Sequence, residues 1–336
     1  MKKNKILMIG ILAAIVLINT GCGGSEYIKK GKEAVKYEET GQNIQNNILC
    51  KPVGEDLYNL YEEYSEQLIT KLDDLPSCEE FKPSDIEYHS IWETIVIKPL
   101  AWVILKVGQF LGNYGISVML IGLLIRIILL PFSKNTIKQS ENMKKMKPEL
   151  DRIEKKYANK KDQQSQYAKS QETMMIYKKY NVSMLGGCLP SLIQIPLFFG
   201  FLQAINRVPA IFEDTLWGLK LGMTPAVGLA NQQYIYILLM AVVIITTYLS
   251  FKQTMKSQDN SDTMKQMNMM LQIMVVLMAI ASFSLPTAVA LYWIVTNAFM
   301  VVQNLIIKKL MQKEETSDGK IIKNARVKKT KVNKRG

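Results

Sequence analysis

The chain has 336 residues, of which 48% are hydrophobic and 21% charged, and its net charge is +13. Long apolar runs alternate with strongly basic runs, which is typical of a polytopic membrane protein and argues against a basic soluble domain. The single histidine, His89, argues against a His-based catalytic triad and a multi-histidine metal site. The four scattered cysteines form no CxxC pair, so a zinc or redox centre has little support.

Residues 1–21 have the layout of a secretory signal peptide: a basic start, an apolar stretch and small residues before Cys22. Thr20-Gly21-Cys22 is similar to the end of a bacterial lipoprotein box, in which the cysteine is acylated and becomes the mature N-terminus. This predicts a lipid anchor, such as palmitate, at Cys22. Such a box usually has leucine where Asn19 stands, so an uncleaved signal anchor or ordinary cleavage nearby stays open.

Residues 22–90 predict an acidic extracytoplasmic region, which includes a helix with apolar residues at helical spacing. Cys50 and Cys78 both lie in this region. Outside the cell these two cysteines can form a disulfide, and two free thiols are the alternative. The next stretch, residues 91–112, is apolar but interrupted by charged residues and a proline. It predicts an amphipathic helix at the membrane interface rather than a span. The interrupting residues are Glu93, Lys98, Pro99 and Lys106.

Five later apolar segments are close to the length needed to cross a membrane, although the fourth is short. The loops after the first and third segments are basic, and so is the C-terminal tail, residues 311–336. Because an excess of Lys and Arg stays in the cytoplasm, we expect the N-terminal region outside and the C-terminus inside a bacterial cell membrane. The five segments are Tyr114–Phe132, Met184–Ile205, Tyr234–Phe251, Met267–Phe283 and Thr287–Ile307.

The basic loop at residues 134–180 predicts a cytoplasmic helical hairpin held together by a thin apolar seam. A solvated, charged loop that packs on nothing is the alternative. Pro148 is expected to interrupt the first helix. The expected seam consists of Met143, Met146, Leu150, Ile153 and Tyr157 on the first helix and Tyr167, Met174 and Tyr177 on the second.

Arg126 lies within the first apolar segment, roughly 12 Å from its cytoplasmic end at 1.5 Å per residue. A charge near mid-membrane costs about 2.5–3.5 kcal/mol on insertion scales. The side chain either snorkels to the interface or faces a polar cavity. Polar residues in other spans, among them Gln194 and Asn297, favour the cavity, and the spans contain no carboxylate to pair with the arginine. A hydrated, partly open groove is therefore expected, and the missing acid counts against a transporter or channel, the alternative function.

Four segments resemble the YidC family of membrane protein insertases, which includes the Oxa and Alb proteins. They are "IRIILLPF", "KMKPELDRIEKKY", "GGCLPSLIQIP" and "LPTAVALYWIVTN", in the family's order, and the resemblance covers about residues 91–310. The lipoprotein-like start and the five later spans are similar to the Gram-positive branch. The long acidic N-terminal region and the lack of a proline near Met274 depart from the family pattern.

The resemblance implies an all-α polytopic membrane protein with five transmembrane helices enclosing a hydrophilic groove, at residues 113–310. The cytoplasmic hairpin and the interfacial amphipathic helix complete this fold. Arg126 matches the family's groove arginine. Gln194, Trp293 and Asn297 are the other expected groove and client-binding residues. Gln194 and Trp293 are expected to line the groove or stabilise its walls, and an ordinary packing role for Trp293 is the alternative.

The implied activity is insertion and folding of integral membrane proteins, and also of lipoproteins, alone or with the Sec translocon. It requires no enzyme chemistry, no cofactor and no metal, and the sequence has no P-loop. The expected partners are nascent membrane-protein clients and membrane lipid. We expect the basic tail to be disordered. It either binds ribosomal RNA through phosphate contacts or is attracted to anionic lipids.

Overall fold

The structure is a computed structural model that describes residues 27–160, 162–183, 189–255 and 262–332. Within some helices it describes only the backbone of part of the residues. The predicted signal segment, Cys22 and the first five residues of the second predicted span (Met184 to Cys188) lie outside the described residues. Two described parts, an N-terminal unit (residues 27–90) and a helical bundle, share one hydrophobic core that extends from Ile28 to Trp293.

The N-terminal unit contains short strand pairs, one α-helix and two 3-10 turns, Ser65–Gln67 and Leu72–Asp74. α1 (Glu55–Glu63) begins after Gly54 and buries Leu57 and Tyr61, two of the apolar residues that predicted a helix here. The sulfurs of Cys50 and Cys78 are joined, at 2.10 Å, and both residues are buried. The antiparallel strand pairs are β1 (Lys29–Lys30) with β2 (Glu33–Ala34) and β3 (Lys36–Tyr37) with β4 (Gln42–Asn43).

Two helices at the start of the bundle form a tight antiparallel pair. A π-helical turn (Glu93–Ile97) leads into α2 (Lys98–Leu111), which ends at Gly112 in a left-handed conformation with φ of 69°. The side chain of Asn113 then caps α3 (Tyr114–Ile128) by accepting a hydrogen bond from the Ile116 backbone N–H at 3.0 Å. The segment Glu93–Leu111 is long and apolar enough to cross a membrane by length and composition, so its interfacial position stays a prediction.

α3 and α4 (Leu130–Tyr157) meet at a bend of 62° and α4 forms a hairpin with α5 (Gln163–Lys179). Pro148 lies inside α4, so the predicted interruption of this helix is wrong. Proline removes one backbone hydrogen bond. Burial of the flanking Met146 and Leu150 against the second helix stabilises the continuous helix despite this loss.

The apolar seam of the hairpin is present, and its first-helix residues are those predicted from the sequence. The five predicted residues of α4 are buried, and three of them form a cluster with Val182, Ile176, Tyr177 and Tyr180. The prediction is wrong for Tyr167 and Met174, which are 66% and 48% exposed. The apolar residues of α5 are distributed around the helix, so spacing alone did not identify the side that faces α4.

The remaining elements complete the bundle. α11 (Thr287–Val332) packs against both α3 and α9 (Ile235–Met255), so it lies between two other long helices. It continues to Val332, so the prediction of a disordered tail is wrong for residues 311–332; lysine and glutamate, which recur in this stretch, are good helix formers. The elements are α6 (Leu189–Asn206), α7 (Pro209–Glu213), β5 (Thr215–Leu216), β6 (Leu219–Lys220), α8 (Pro225–Ala230), α9 (Ile235–Met255), α10 (Asp262–Ala281) and α11 (Thr287–Val332).

Fewer helices of the described residues meet the length and composition criteria for a membrane span than the five spans that the sequence predicts. Among the described residues three helices are long and apolar enough to cross a membrane, or up to four if α3 and α4 count as one bent span. They are Glu93–Leu111, Ile235–Lys252 and Thr287–Met311. The second and fourth predicted spans correspond to α6 and α10, of whose side chains only part is described. The five-span arrangement therefore stays a prediction.

Candidate functional site

The Arg126 side chain lies between three helices of the bundle. Its Nη2 donates a hydrogen bond to Oε1 of Gln194, a residue 68 positions later on α6. Tyr292 on α11 is the second neighbour, and its hydroxyl is buried. The close approach of α3 to α11 depends on Gly122, because a Cβ there would lie 2.7 Å from Cδ2 of Tyr292.

The charge of Arg126 is not neutralised within the described part of the chain. The partner of its Nη2 is a neutral amide, and its buried Nε has no hydrogen-bond partner among the described residues. A buried donor without a partner costs about 1–3 kcal/mol, and more when it carries charge. The guanidinium therefore retains the capacity to bind an acceptor that carries negative charge.

Trp293 and Asn297 lie in the interface between α9 and α11. The indole N–H of Trp293 donates to Oγ1 of Thr247 at 2.8 Å, and the amide of Asn297 donates to the same oxygen at 3.2 Å. Ser250 Oγ lies 3.3 Å from the amide oxygen of Asn297 and donates to it. Hydrogen bonds of this kind between membrane helices contribute about 0.6–2 kcal/mol each. Both side chains are buried, so they hold two helices together.

The structure thus brings together two of the four residues that the sequence indicated. Arg126 contacts Gln194. Trp293 instead packs against Phe198 of α6, and the centres of the two rings lie 5.2 Å apart. The sequence analysis missed Tyr292 and Gly122. The sequence could have indicated Gly122, because this residue lies one turn before Arg126 on the same side of α3.

The helices and the half-buried arginine define a class of protein: mostly helical membrane proteins that have a positively charged polar site within the bundle. The family model described as 60Kd inner membrane protein matches residues 106–315. The membrane protein insertase YidC of Oceanobacillus iheyensis is 35% identical over 240 residues, which cover 70% of this chain and 92% of that protein. The membrane protein insertase MisCA of Bacillus subtilis is 34% identical over 236 residues, 70% of this chain and 86% of that protein.

A crystal structure of an active YidC insertase, with its first transmembrane domain resolved, covers 74% of this chain and 52% of that chain, with 22% identity and a TM-score of 0.47. The sequence matches show the family. The chain belongs to the 60Kd inner membrane protein family, the family of the YidC membrane protein insertases. It is accordingly a multi-pass protein of the cell membrane. The N-terminal unit lies outside the residues that the family model matches.

Proposed function

We propose that this chain is a membrane protein insertase that inserts integral membrane proteins and helps them fold. One observation carries the proposal: the guanidinium of Arg126 is held in the helical bundle by a neutral amide, that of Gln194. The names of the relatives, all membrane protein insertases, support the same activity. No covalent step is required, so the protein acts as a binding and translocation device rather than as an enzyme.

The charge of Arg126 attracts an acidic stretch of the client. Two opposite charges 4 Å apart attract each other by about 4 kcal/mol at an effective dielectric constant of 20. This attraction offsets part of the cost of bringing polar client residues partway across the membrane. The hydrophobic segment of the client contributes more free energy, because about 20 apolar residues at roughly 0.3–0.6 kcal/mol each favour the bilayer by about 6–12 kcal/mol.

The groove is part of the same proposal. Arg126 and Gln194 would lie on its surface, while the bonds of Trp293 and Asn297 to Thr247 would fix its wall. The N-terminal unit would face the outside and the α4–α5 hairpin the cytoplasm, because of the distribution of Lys and Arg. Cooperation with the Sec translocon, ribosome contact through the tail, insertion of lipoproteins and a lipid anchor at Cys22 belong to this proposal as well.

Complementation tests the function directly. A cell depleted of its native insertase would express the chain, Arg126→Ala or Arg126→Lys at matched levels. Insertion of a small single-span client with an acidic outer tail would be followed by protease accessibility. We expect the chain to restore insertion, the lysine variant to retain most of it and the alanine variant to lose it. Failure of the folded, abundant chain itself would contradict the insertase assignment.

A further inference from the structure

Three charged side chains meet in a buried cluster where the N-terminal unit joins the bundle. Glu93 Oε2 lies 2.9 Å from Nη1 of Arg207, and Glu93 Oε1 lies 3.4 Å from Nζ of Lys98. The side chains of the two cations are only 2% and 1% exposed, and that of Glu93 is 7% exposed. The glutamate thus joins the π-helical turn before α2 to the residue that follows α6.

Both cations of this cluster also contact the N-terminal unit. The Lys98 Nζ donates to the backbone carbonyl oxygens of Ile86 and Glu87, at 2.9 and 2.7 Å. The backbone carbonyl of Arg207 accepts a hydrogen bond from the Leu49 N–H at 2.8 Å. Lys98 was an interrupting charge in the sequence analysis. Its charge is compensated by partners that spacing along the chain does not reveal.

Further hydrogen bonds extend the junction on both sides of the cluster. The carboxylate of Glu213 accepts hydrogen bonds from the backbone N–H groups of Val53 and Gly54, at 3.1 and 2.6 Å. These two residues directly precede α1. The Thr224 N–H donates to the carbonyl of Thr40 at 3.2 Å. The unit therefore lies across the segment from Arg207 to Thr224, the connection that follows α6.

The charged cluster contributes more to the stability of the junction than any single hydrogen bond around it. Removing one partner of a buried ion pair is strongly destabilising, because the remaining charge stays buried and uncompensated. A single backbone hydrogen bond contributes much less to stability, because folding exchanges it for a hydrogen bond to water. Opening of the junction should therefore depend more on Glu93, which both cations share, than on any one of the surrounding hydrogen bonds.

We propose that Glu93 is a positioning residue that holds the N-terminal unit closed over the outer end of the bundle and fixes the end of α6, the helix that carries Gln194. This role rests on the proposed insertase function, which includes a groove in the bundle and an N-terminal unit that faces the outside. It assigns a function to residues 27–90, which lie outside the region shared with the family model.

Amide hydrogen exchange on the purified full-length chain tests the proposal, with peptides that contain the N–H groups of Leu49 and Thr224. In Glu93→Gln we expect these peptides to exchange at least ten-fold faster than in the unmodified chain, and the α4–α5 hairpin to exchange unchanged. Glu172→Gln is the matched control, since it removes a carboxylate from an ion pair of that hairpin and should leave the junction unchanged.

Arg207→Lys keeps the charge and should give an intermediate rate at the junction, at least three-fold faster. If Glu93→Gln does not accumulate, Arg207→Lys alone tests whether the charged cluster holds the junction closed. Unchanged exchange at the junction in the variants, or equal acceleration throughout the chain, would overturn the proposal. Glu93→Gln should also reduce insertion of clients with acidic and neutral tails equally. If Glu93→Gln opens the junction but Arg126→Ala inserts clients normally, the proposed function is contradicted. The role of Glu93 at the junction then still stands.

Discussion

Met146→Ala tests whether the seam of the α4–α5 hairpin holds its two helices together. Met146 is 0% exposed and packs in the cluster with Met143, Leu150 and Val182. Truncation of a buried methionine to alanine costs about 2–5 kcal/mol, and a small seam that can partly relax favours the lower end. A loss of about 2 kcal/mol corresponds to a roughly 30-fold increase in local opening.

The assay is amide hydrogen exchange in peptides from α4 and α5 of the purified full-length chain. Met175→Ala is the matched control, because it makes the same substitution in the same hairpin at a side chain that is 60% exposed. It should change exchange by less than about two-fold, as surface substitutions usually stay within 0.5 kcal/mol. Equal acceleration by the two substitutions, or none by Met146→Ala, would refute the packing argument.

Three other predictions concern separate parts of the chain. Hydrogen bonds from its lysine and tyrosine partners lower the pKa of Glu172. Its contribution to hairpin stability is therefore complete above the unfolded pKa and is lost as the pH falls through the folded pKa. Amide exchange of the hairpin between pH 6 and 3 should show this loss of stability, and Glu172→Gln should abolish the pH dependence. Gly122→Ala should destabilise the bundle by about 1–3 kcal/mol, measured by thermal unfolding in detergent, because its methyl group would press on Tyr292; unchanged stability would contradict this close approach. Cys50→Ser with Cys78→Ser should lower the stability of the N-terminal unit by about 3–4 kcal/mol in urea titration, since the bridge spans 28 positions, and identical unfolding of oxidised and reduced protein would contradict it.

Local patterns were sufficient to predict much of the helical structure. The spacing of Met143, Met146 and Leu150 identified the buried side of α4, because each residue lies about one turn from the next. The sequence also placed Arg126 correctly on a helix of the bundle. It did not identify which side of α5 faces α4, since the apolar residues of that helix lie on several sides and only the contact with α4 selects among them.

The rest of the candidate site depended on contacts between distant residues. Glu93 was interpreted as a charge that interrupts an apolar helix, because the sequence does not show that Arg207 lies beside it, 114 positions later. Trp293 and Asn297 were expected in the groove. The structure shows that they contact Thr247 between two helices, a neighbour that depends on the rotation of α11, and their position in the groove stays a prediction. Polar residues in a span indicate an interior position, but not which neighbour they contact.

The most direct measurement compares client insertion by the unmodified chain with client insertion by Arg126→Ala. The two clients differ only in the charge of the translocated tail, which has aspartates in one client and asparagines at the same positions in the other. Insertion into proteoliposomes that contain the full-length protein would be followed by protease protection. The proposed attraction predicts a loss at least ten-fold larger for the aspartate client than for the asparagine client. An equal loss for the two clients would show that Arg126 acts on the bundle rather than on the charge of the client, and would contradict the proposed function of the site.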